Sequence, residues 1–160
     1  MNFAKRWLLV MLVINIGASI LHYVDNILFF HTYPEPHWIN PQIIDAFWFV
    51  MTPFAVLGYV LYSKGLHMHS YLCLYLYALM SLLVLGHYRY GSMWEMSMKM
   101  NLLIFIEAIA AVALIAYTMW LQFRAEESYG RDYSQRAVQQ AVAADAQSDG
   151  LLSATLQARG

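Results

Sequence analysis

One stretch decides the fold class: residues 100–122, MNLLIFIEAIAAVALIAYTMWLQ, form an apolar run in which Glu107 is the only charged residue. A helix needs about 20 mostly apolar residues to cross the hydrocarbon core of a bilayer. Three further apolar runs precede it, at residues 8–30, 43–62 and 71–86. The sequence therefore predicts an all-α membrane protein, a bundle of four transmembrane helices.

Composition supports a lipid environment. The chain is 61% hydrophobic and 12% charged, whereas soluble domains carry about 25% charged residues. The lipid bilayer is therefore the expected surrounding. The net charge of -1 gives no reason to expect a nucleic-acid partner, which would favour a basic surface. The lone Cys73 excludes an internal disulfide and a CxxC redox pair.

The distribution of basic residues predicts the orientation of the helices. Basic side chains flank the predicted helices mainly at one end, at Lys5, Arg6, Lys64 and Arg124. Arg89 and Lys99 lie at the opposite end, while residues 31–42 contain no Lys or Arg. The majority places both termini in the cytoplasm, in a multi-pass protein of a bacterial-type inner (plasma) membrane.

The composition changes after the last apolar run. Beyond Arg124 the chain becomes rich in Ala, Gln, Ser and charged residues. We expect two regions: residues 1–123 as the transmembrane domain, and residues 124–160 as a cytoplasmic tail that is weakly ordered or contains a short helix over residues 134–146.

Ionisable side chains inside a membrane are informative, because each costs roughly 2.5–3.5 kcal/mol at the helix centre. Every predicted helix carries at least one of them near the same boundary, counted at about 1.5 Å per residue. They are His22 and Asp25 in the first helix, Asp45 in the second, His87 in the third and Glu107 in the fourth. Polar groups from four helices in one layer predict a shared site.

Further polar and aromatic residues accompany these groups. Asn26 continues the helical face of His22, and Trp48 and Thr52 follow Asp45 at i+3 and i+7. Asn101 lies near the start of the fourth helix. The candidate catalytic residues are His22, Asp25, Asp45 and Glu107, and the candidate ligand-binding residues are Asn26, Trp48, Thr52, His87 and Asn101.

Acids and imidazoles in a low-dielectric layer must share protons, form ion pairs or bind a cation. The first two options predict proton transfer or binding of a cationic ligand. The third is a metal or haem site with His22, His87 and Glu107 as ligands, which suits zinc, iron or manganese. Helix-end capping and polar contacts between packed helices are simpler explanations for single residues.

A resemblance adds a more specific expectation. The His and acid late in the first helix, the Pro-containing crossover with PEPHW (residues 34–38) and the acid opening the second helix resemble the EXPERA family. This family contains emopamil-binding sterol isomerases and sigma-two-receptor-like proteins. The similarity covers residues 22–65, with a looser match over 87–117, although His22 and Asp25 are three residues apart rather than the isomerases' four.

The resemblance implies a helical bundle with a cavity for a sterol-like or cationic amphiphilic ligand. The family's acidic pocket residues would correspond to Asp25 and Asp45, its histidine to His22 and its cation-facing indole to Trp48.

Three functions follow from the sequence. The leading hypothesis is a membrane protein that binds a hydrophobic or amphiphilic small molecule in an acid- and His-lined pocket in the outer part of the bundle, with isomerase-like proton transfer as its extension. Residues 31–42, with three prolines, would form a lid over this pocket. The alternatives are a metal- or haem-binding protein, and an accessory subunit or assembly factor of a larger membrane complex; a homo-oligomer is compatible with each.

Overall fold

The structure, a computed structural model, describes residues 3–157, with few side chains described beyond residue 127. The helices are α1 (Phe3–Leu28), α2 (Pro41–Ser63), α3 (His67–Leu82), α4 (His87–Tyr90) and α5 (Met98–Gln157). Single 3₁₀ turns cover Phe30–Thr32 and Leu83–Gly86. Four segments are long and apolar enough to span a membrane: Phe3–Leu28, Pro41–Ser63, His67–Tyr90 and Met98–Glu127. The all-α four-helix fold of a multi-pass membrane protein is thereby confirmed.

Local sequence signals explain the ends of α2. The Asn40 side chain accepts a hydrogen bond from the Ile43 amide at 3.0 Å, and Pro41 occupies the first helical position, as favoured at helix starts. The helix runs without interruption past Pro53. Gly65, with φ of +81°, follows its end, since glycine adopts this left-handed conformation without steric cost.

The last helix differs from the sequence expectation. The apolar run ends before Arg124, yet α5 continues to Gln157. Ala, Gln and Glu are good helix formers, so hydropathy marks where the apolar segment stops and not where the helix stops. The chain divides into a unit covering Met1–Leu121 and a second one from Gln122 onward. The cavity and the polar side chains around it belong to the first unit.

Close packing between α2 and α3 fixes one side of the bundle. A Cβ atom on Gly58 would lie 2.7 Å from Leu74 Cδ2, and the Ser70 hydroxyl donates to the Gly58 carbonyl at 2.7 Å. Large apolar side chains such as Phe49 and Ile109 point outward, with 65% and 67% of their surface exposed. Such an apolar exterior is what contact with lipid requires.

Candidate functional site

A buried imidazole–carboxylate pair forms the centre of the site. His22 Nδ1 of α1 lies 2.8 Å from Glu107 Oε2 of α5, and both side chains are buried. The Ser81 hydroxyl donates to Glu107 Oε1 at 2.9 Å, and its oxygen is 3.3 Å from Asn15 Oδ1. One hydroxyl proton is best placed on the nearer acceptor. Both Glu107 oxygens are therefore engaged, which explains how an acid is accommodated within this apolar run. We call His22 and Glu107 the dyad.

A second polar group lies beside the dyad. Asn26 Nδ2 donates to Glu35 Oε1 at 3.0 Å, and His87 Nδ1 lies 3.4 Å from the same oxygen. The His87 and His22 rings meet edge to face, with centroids 5.3 Å apart. The Tyr33 ring contacts both imidazoles, at 5.2 Å and 5.7 Å. Two imidazoles, each next to a carboxyl group, thus share one region of the bundle.

The loop of residues 31–40 is tied to the bundle at three places. Glu35 makes the contacts just described. The Tyr33 hydroxyl donates to Asp25 Oδ2 at 2.8 Å, and Lys99 Nζ lies 2.6 Å from Asp25 Oδ1. Pro34 packs so closely on Gly91 that a Cβ atom there would lie 2.6 Å from Pro34 Cβ. We call this segment the 31–40 loop. It is two residues shorter than the predicted lid of residues 31–42, because α2 begins at Pro41.

The dyad borders a cavity of about 360 Å³, within the size range of small-molecule sites. One end is polar and is formed by the side chains of His22, Asn26, Glu35, Ser81, His87 and Glu107. The remaining wall is largely apolar and includes Phe47, Trp48, Met51, Met80 and Val84. Apolar walls with a few convergent polar groups are typical of pockets that bind apolar ligands.

The structure brings together five of the nine sequence-predicted site residues around this cavity: His22, Asn26, Trp48, His87 and Glu107. The other four do not line it. Asp25 is paired with Lys99 and Tyr33. Asp45 accepts a short hydrogen bond from the Tyr23 hydroxyl, and Tyr23 stacks on Trp48 with ring centroids 5.1 Å apart.

Thr52 and Asn101 are used in local structure. Thr52 Oγ1 donates to the Trp48 carbonyl of its own helix at 2.8 Å, a bond typical of helical threonines. Asn101 Nδ2 donates to the Met93 carbonyl at 3.0 Å, and Asn101 Oδ1 accepts from Tyr88. Asn101 thus shapes the turn before α5 rather than the cavity.

Sequence reasoning missed Glu35 and Ser81 as site residues. Glu35 is the only acid among residues 31–42, a signal that could have singled it out within the predicted lid. Ser81 carries no comparable signal, because serines are common in membrane helices. For the alternative metal site of His22, His87 and Glu107, the part of the chain that the structure describes contains no group of three or more His, Cys, Asp or Glu side chains able to hold a metal ion.

Burial changes the pKa of Glu35, the acid of the 31–40 loop. Glu35 lies outside the membrane-spanning helices, and desolvation raises the pKa of its carboxyl above the usual 4.5, against the opposing effects of the Asn26 hydrogen bond and of His22. Burial next to Asp25 likewise raises the pKa of the Tyr33 hydroxyl, so Tyr33 remains a hydrogen-bond donor at neutral pH.

The raised pKa of Glu35 predicts that the 31–40 loop docks more weakly as the pH rises. The Glu35 carboxyl binds a proton more readily when the loop is docked than when it is released into water. Docking is therefore strongest below pH 4.5, the usual pKa of this group. It weakens as the pH rises through the raised pKa of the docked state. Hydrogen exchange of the loop amides, corrected for the intrinsic rate, should show protection falling with pH. Glu35→Gln should abolish this dependence.

Glu95→Gln provides the matched control. Glu95 is an exposed acid in another loop, where its carboxylate accepts from the Ser92 amide. This variant should keep the pH dependence of the unmodified chain. Persistence of the full dependence in Glu35→Gln would contradict the assignment to Glu35.

No protein-family model, curated protein or solved structure matches the chain, so the resemblance to the EXPERA family stays a prediction.

Proposed function

We propose that this protein binds an apolar or amphiphilic small molecule in the cavity and exchanges a proton with it through the dyad. The observation that carries the proposal is the position of His22. Its Nδ1 is held by Glu107 at 2.8 Å, whereas its buried Nε2 has no hydrogen-bond partner among the described residues. The free nitrogen belongs to a residue that lines a largely apolar cavity.

An imidazole held by a carboxylate is suited to acid–base chemistry. Glu107 fixes the orientation of the His22 ring, and a proton can shift between the two groups without a change in their net charge. A positioned acid or base of this kind contributes typically 10²–10⁴-fold to a rate. In an isomerisation, His22 Nε2 would deliver a proton to one carbon of a double bond, which leaves the positive charge on the other carbon of that bond. A proton would then leave the next carbon beyond the charged one and return to the dyad. The double bond is thereby shifted by one position, and protons and charge balance.

The exposed part of the cavity wall supports an apolar ligand. Trp38, Phe47 and Leu83 line the cavity and are 59%, 37% and 62% exposed. Phe47 and Leu83 belong to membrane-spanning segments, so their exposed surface faces lipid. A ligand dissolved in the bilayer could reach the dyad past these side chains without crossing water.

The orientation is part of the proposal. Lys5 Nζ donates to the Ser63 carbonyl at 3.0 Å, which joins the start of α1 to the end of α2. Lys64 follows Ser63 in the sequence, so the basic residues Lys5 and Lys64 lie at the same end of the bundle. By the positive-inside rule this end is cytoplasmic. Both termini are then cytoplasmic, and the cavity lies towards the outer face of a bacterial-type inner membrane.

Co-purification tests the proposal. Protein isolated from its native membranes should retain an apolar molecule detectable by native mass spectrometry, and incubation in D₂O should introduce into it deuterium that is bonded to carbon and does not wash out in H₂O. Gly86→Phe should abolish retention, because Gly86 lines the cavity and a Cβ atom there meets nothing within 4 Å. Gly17→Phe is the control, since Gly17 has equal free space and does not line the cavity. Equal retention by both variants, or none by the unmodified protein, would contradict the proposal.

A further inference from the structure

Unpartnered polar atoms are concentrated at the cavity. Among the described residues, the buried side-chain atoms without a hydrogen-bond partner are Asn15 Nδ2, His22 Nε2, Asn26 Oδ1 and Trp48 Nε1. The last three belong to residues that line the cavity. A buried polar atom without a partner costs about 1–3 kcal/mol, so three at one cavity indicate a polar group of the bound molecule.

Two of the three atoms have a fixed role. The indole Nε1 of Trp48 can only donate a hydrogen bond. The Asn26 amide has its orientation set by Glu35, because Nδ2 donates to Glu35 Oε1 at 3.0 Å. Asn26 Oδ1 therefore remains as an acceptor. The bound molecule must therefore supply an acceptor to Trp48 Nε1 and a donor to Asn26 Oδ1.

The role of His22 Nε2 follows from the charge of the dyad. If the proton lies on Glu107, its hydroxyl donates to Nδ1, and the neutral imidazole then carries its hydrogen on Nε2. If His22 is an imidazolium beside a carboxylate, both ring nitrogens carry hydrogen. Nε2 is a donor in each of these states of zero net charge. The Ser81 hydroxyl donates to Glu107 Oε1, so the proton of the dyad lies on the His22 side of the carboxyl group. Nε2 then becomes an acceptor only when the dyad carries a net negative charge, which a low-dielectric site disfavours.

We infer that the cavity takes a neutral apolar molecule bearing a hydroxyl group, rather than a cationic amine; this rests on the proposed function. A hydroxyl has one donor and two acceptor lone pairs. It can therefore donate to Asn26 Oδ1 and accept from Trp48 Nε1, and its second lone pair can accept from His22 Nε2 whenever that nitrogen is not delivering a proton. An ammonium group offers donors only and leaves both N–H groups unsatisfied. A carboxylate has no donor for Asn26 and would meet Glu35 and Glu107.

The surroundings of Trp48 also disfavour a cation cage. One face of the indole is covered by Tyr23, stacked at 5.1 Å, and Phe49 meets it edge to face at 5.4 Å. The acids near the cavity already have partners: Glu107 with His22, and Glu35 with Asn26 and His87. No unpaired carboxylate among the described lining residues calls for a cationic ligand.

A matched pair of probes tests the inference. Full-length protein in phosphatidylcholine nanodiscs is titrated with 1-dodecanol and with dodecylammonium. The affinity for each probe is calculated from its concentration within the membrane, so that different partitioning into lipid does not affect the comparison. The indole ¹⁵N–¹H resonance of Trp48 reports binding and is identified by its loss in Trp48→Phe. We expect the alcohol to shift this resonance and to bind at least tenfold more tightly than the ammonium.

The same substitution separates binding from stability. Trp48→Phe lacks the indole resonance, so binding to this variant is measured through the ¹⁵N-labelled imidazole of His22. The substitution should weaken dodecanol binding about tenfold and leave dodecylammonium binding unchanged. The variant's Tm without probe should fall only slightly, through the reduced ring contact with Tyr23, because Nε1 has no hydrogen-bond partner to lose. Trp7→Phe, at the end of α1 remote from His22, should change neither.

The outcomes distinguish the inference from the function on which it rests. Binding of the ammonium as tight as that of the alcohol would overturn the hydroxyl inference and leave the binding function standing. Failure of both probes to reach saturation would count against both.

Discussion

Replacing Glu107 with alanine is expected to abolish proton transfer and to impair ligand binding, while the chain still inserts with its four spans. Insertion depends on summed hydropathy, and the substitution removes the only charged residue from residues 100–122. The free energy of unfolding of the inserted bundle should fall, because breaking a buried pair by removing one partner costs about 3–5 kcal/mol. Glycosylation or cysteine-accessibility mapping checks insertion, and thermal unfolding in detergent checks stability.

Two companion variants separate a functional role from a structural one. Glu107→Gln keeps an acceptor for Ser81 but cannot exchange a proton, so activity should fall about 10²–10⁴-fold with a smaller loss of stability. The double variant His22→Phe/Glu107→Leu replaces both partners by apolar groups, which is often neutral for stability. It should regain stability without regaining function. If ligand binding and activity survived in the double variant, the dyad would serve only helix packing, as in the accessory-subunit hypothesis.

The second large effect is expected at Gly58. An alanine there would place its Cβ 2.7 Å from Leu74 Cδ2 and 2.8 Å from Leu74 Cγ. Leu74 is fully buried, so its side chain has little room to shift, and we expect α2 and α3 to be pushed apart. Overpacking of this kind costs about 1–3 kcal/mol, and separation would also strain the Ser70 hydrogen bond to the Gly58 carbonyl. A lower midpoint of unfolding in a denaturing-detergent titration is the measurement.

Gly17→Ala is the control for this prediction. Gly17 lies within α1, and a Cβ atom there meets nothing within 4 Å. Since alanine is favoured over glycine in a helix interior by about 0.8–1.0 kcal/mol, this variant should be neutral or more stable. A similar loss of stability in both variants would contradict the close α2–α3 packing.

The sequence predicts those site residues whose ionisable side chains cost free energy when they are buried in a membrane. His22 and Glu107 interrupt apolar helices, so each needs a polar partner, and the structure makes them partners of each other. The same reasoning selects Asp25 and Asp45, but they pair with Lys99 and with Tyr23. Hydropathy indicates that a buried charged group needs a partner. It does not indicate which residue that partner is.

The sequence by itself determined the fold class and the four apolar spans, because transfer from water to lipid is nearly additive over neighbouring residues and is readable along the chain. The tertiary structure decided which side chains meet. The approach of Glu35 to Asn26 and His87, and of Ser81 to Glu107, depends on the rotation of each helix about its axis and on the path of the 31–40 loop. Both are set by packing between segments far apart in sequence, which no local pattern records.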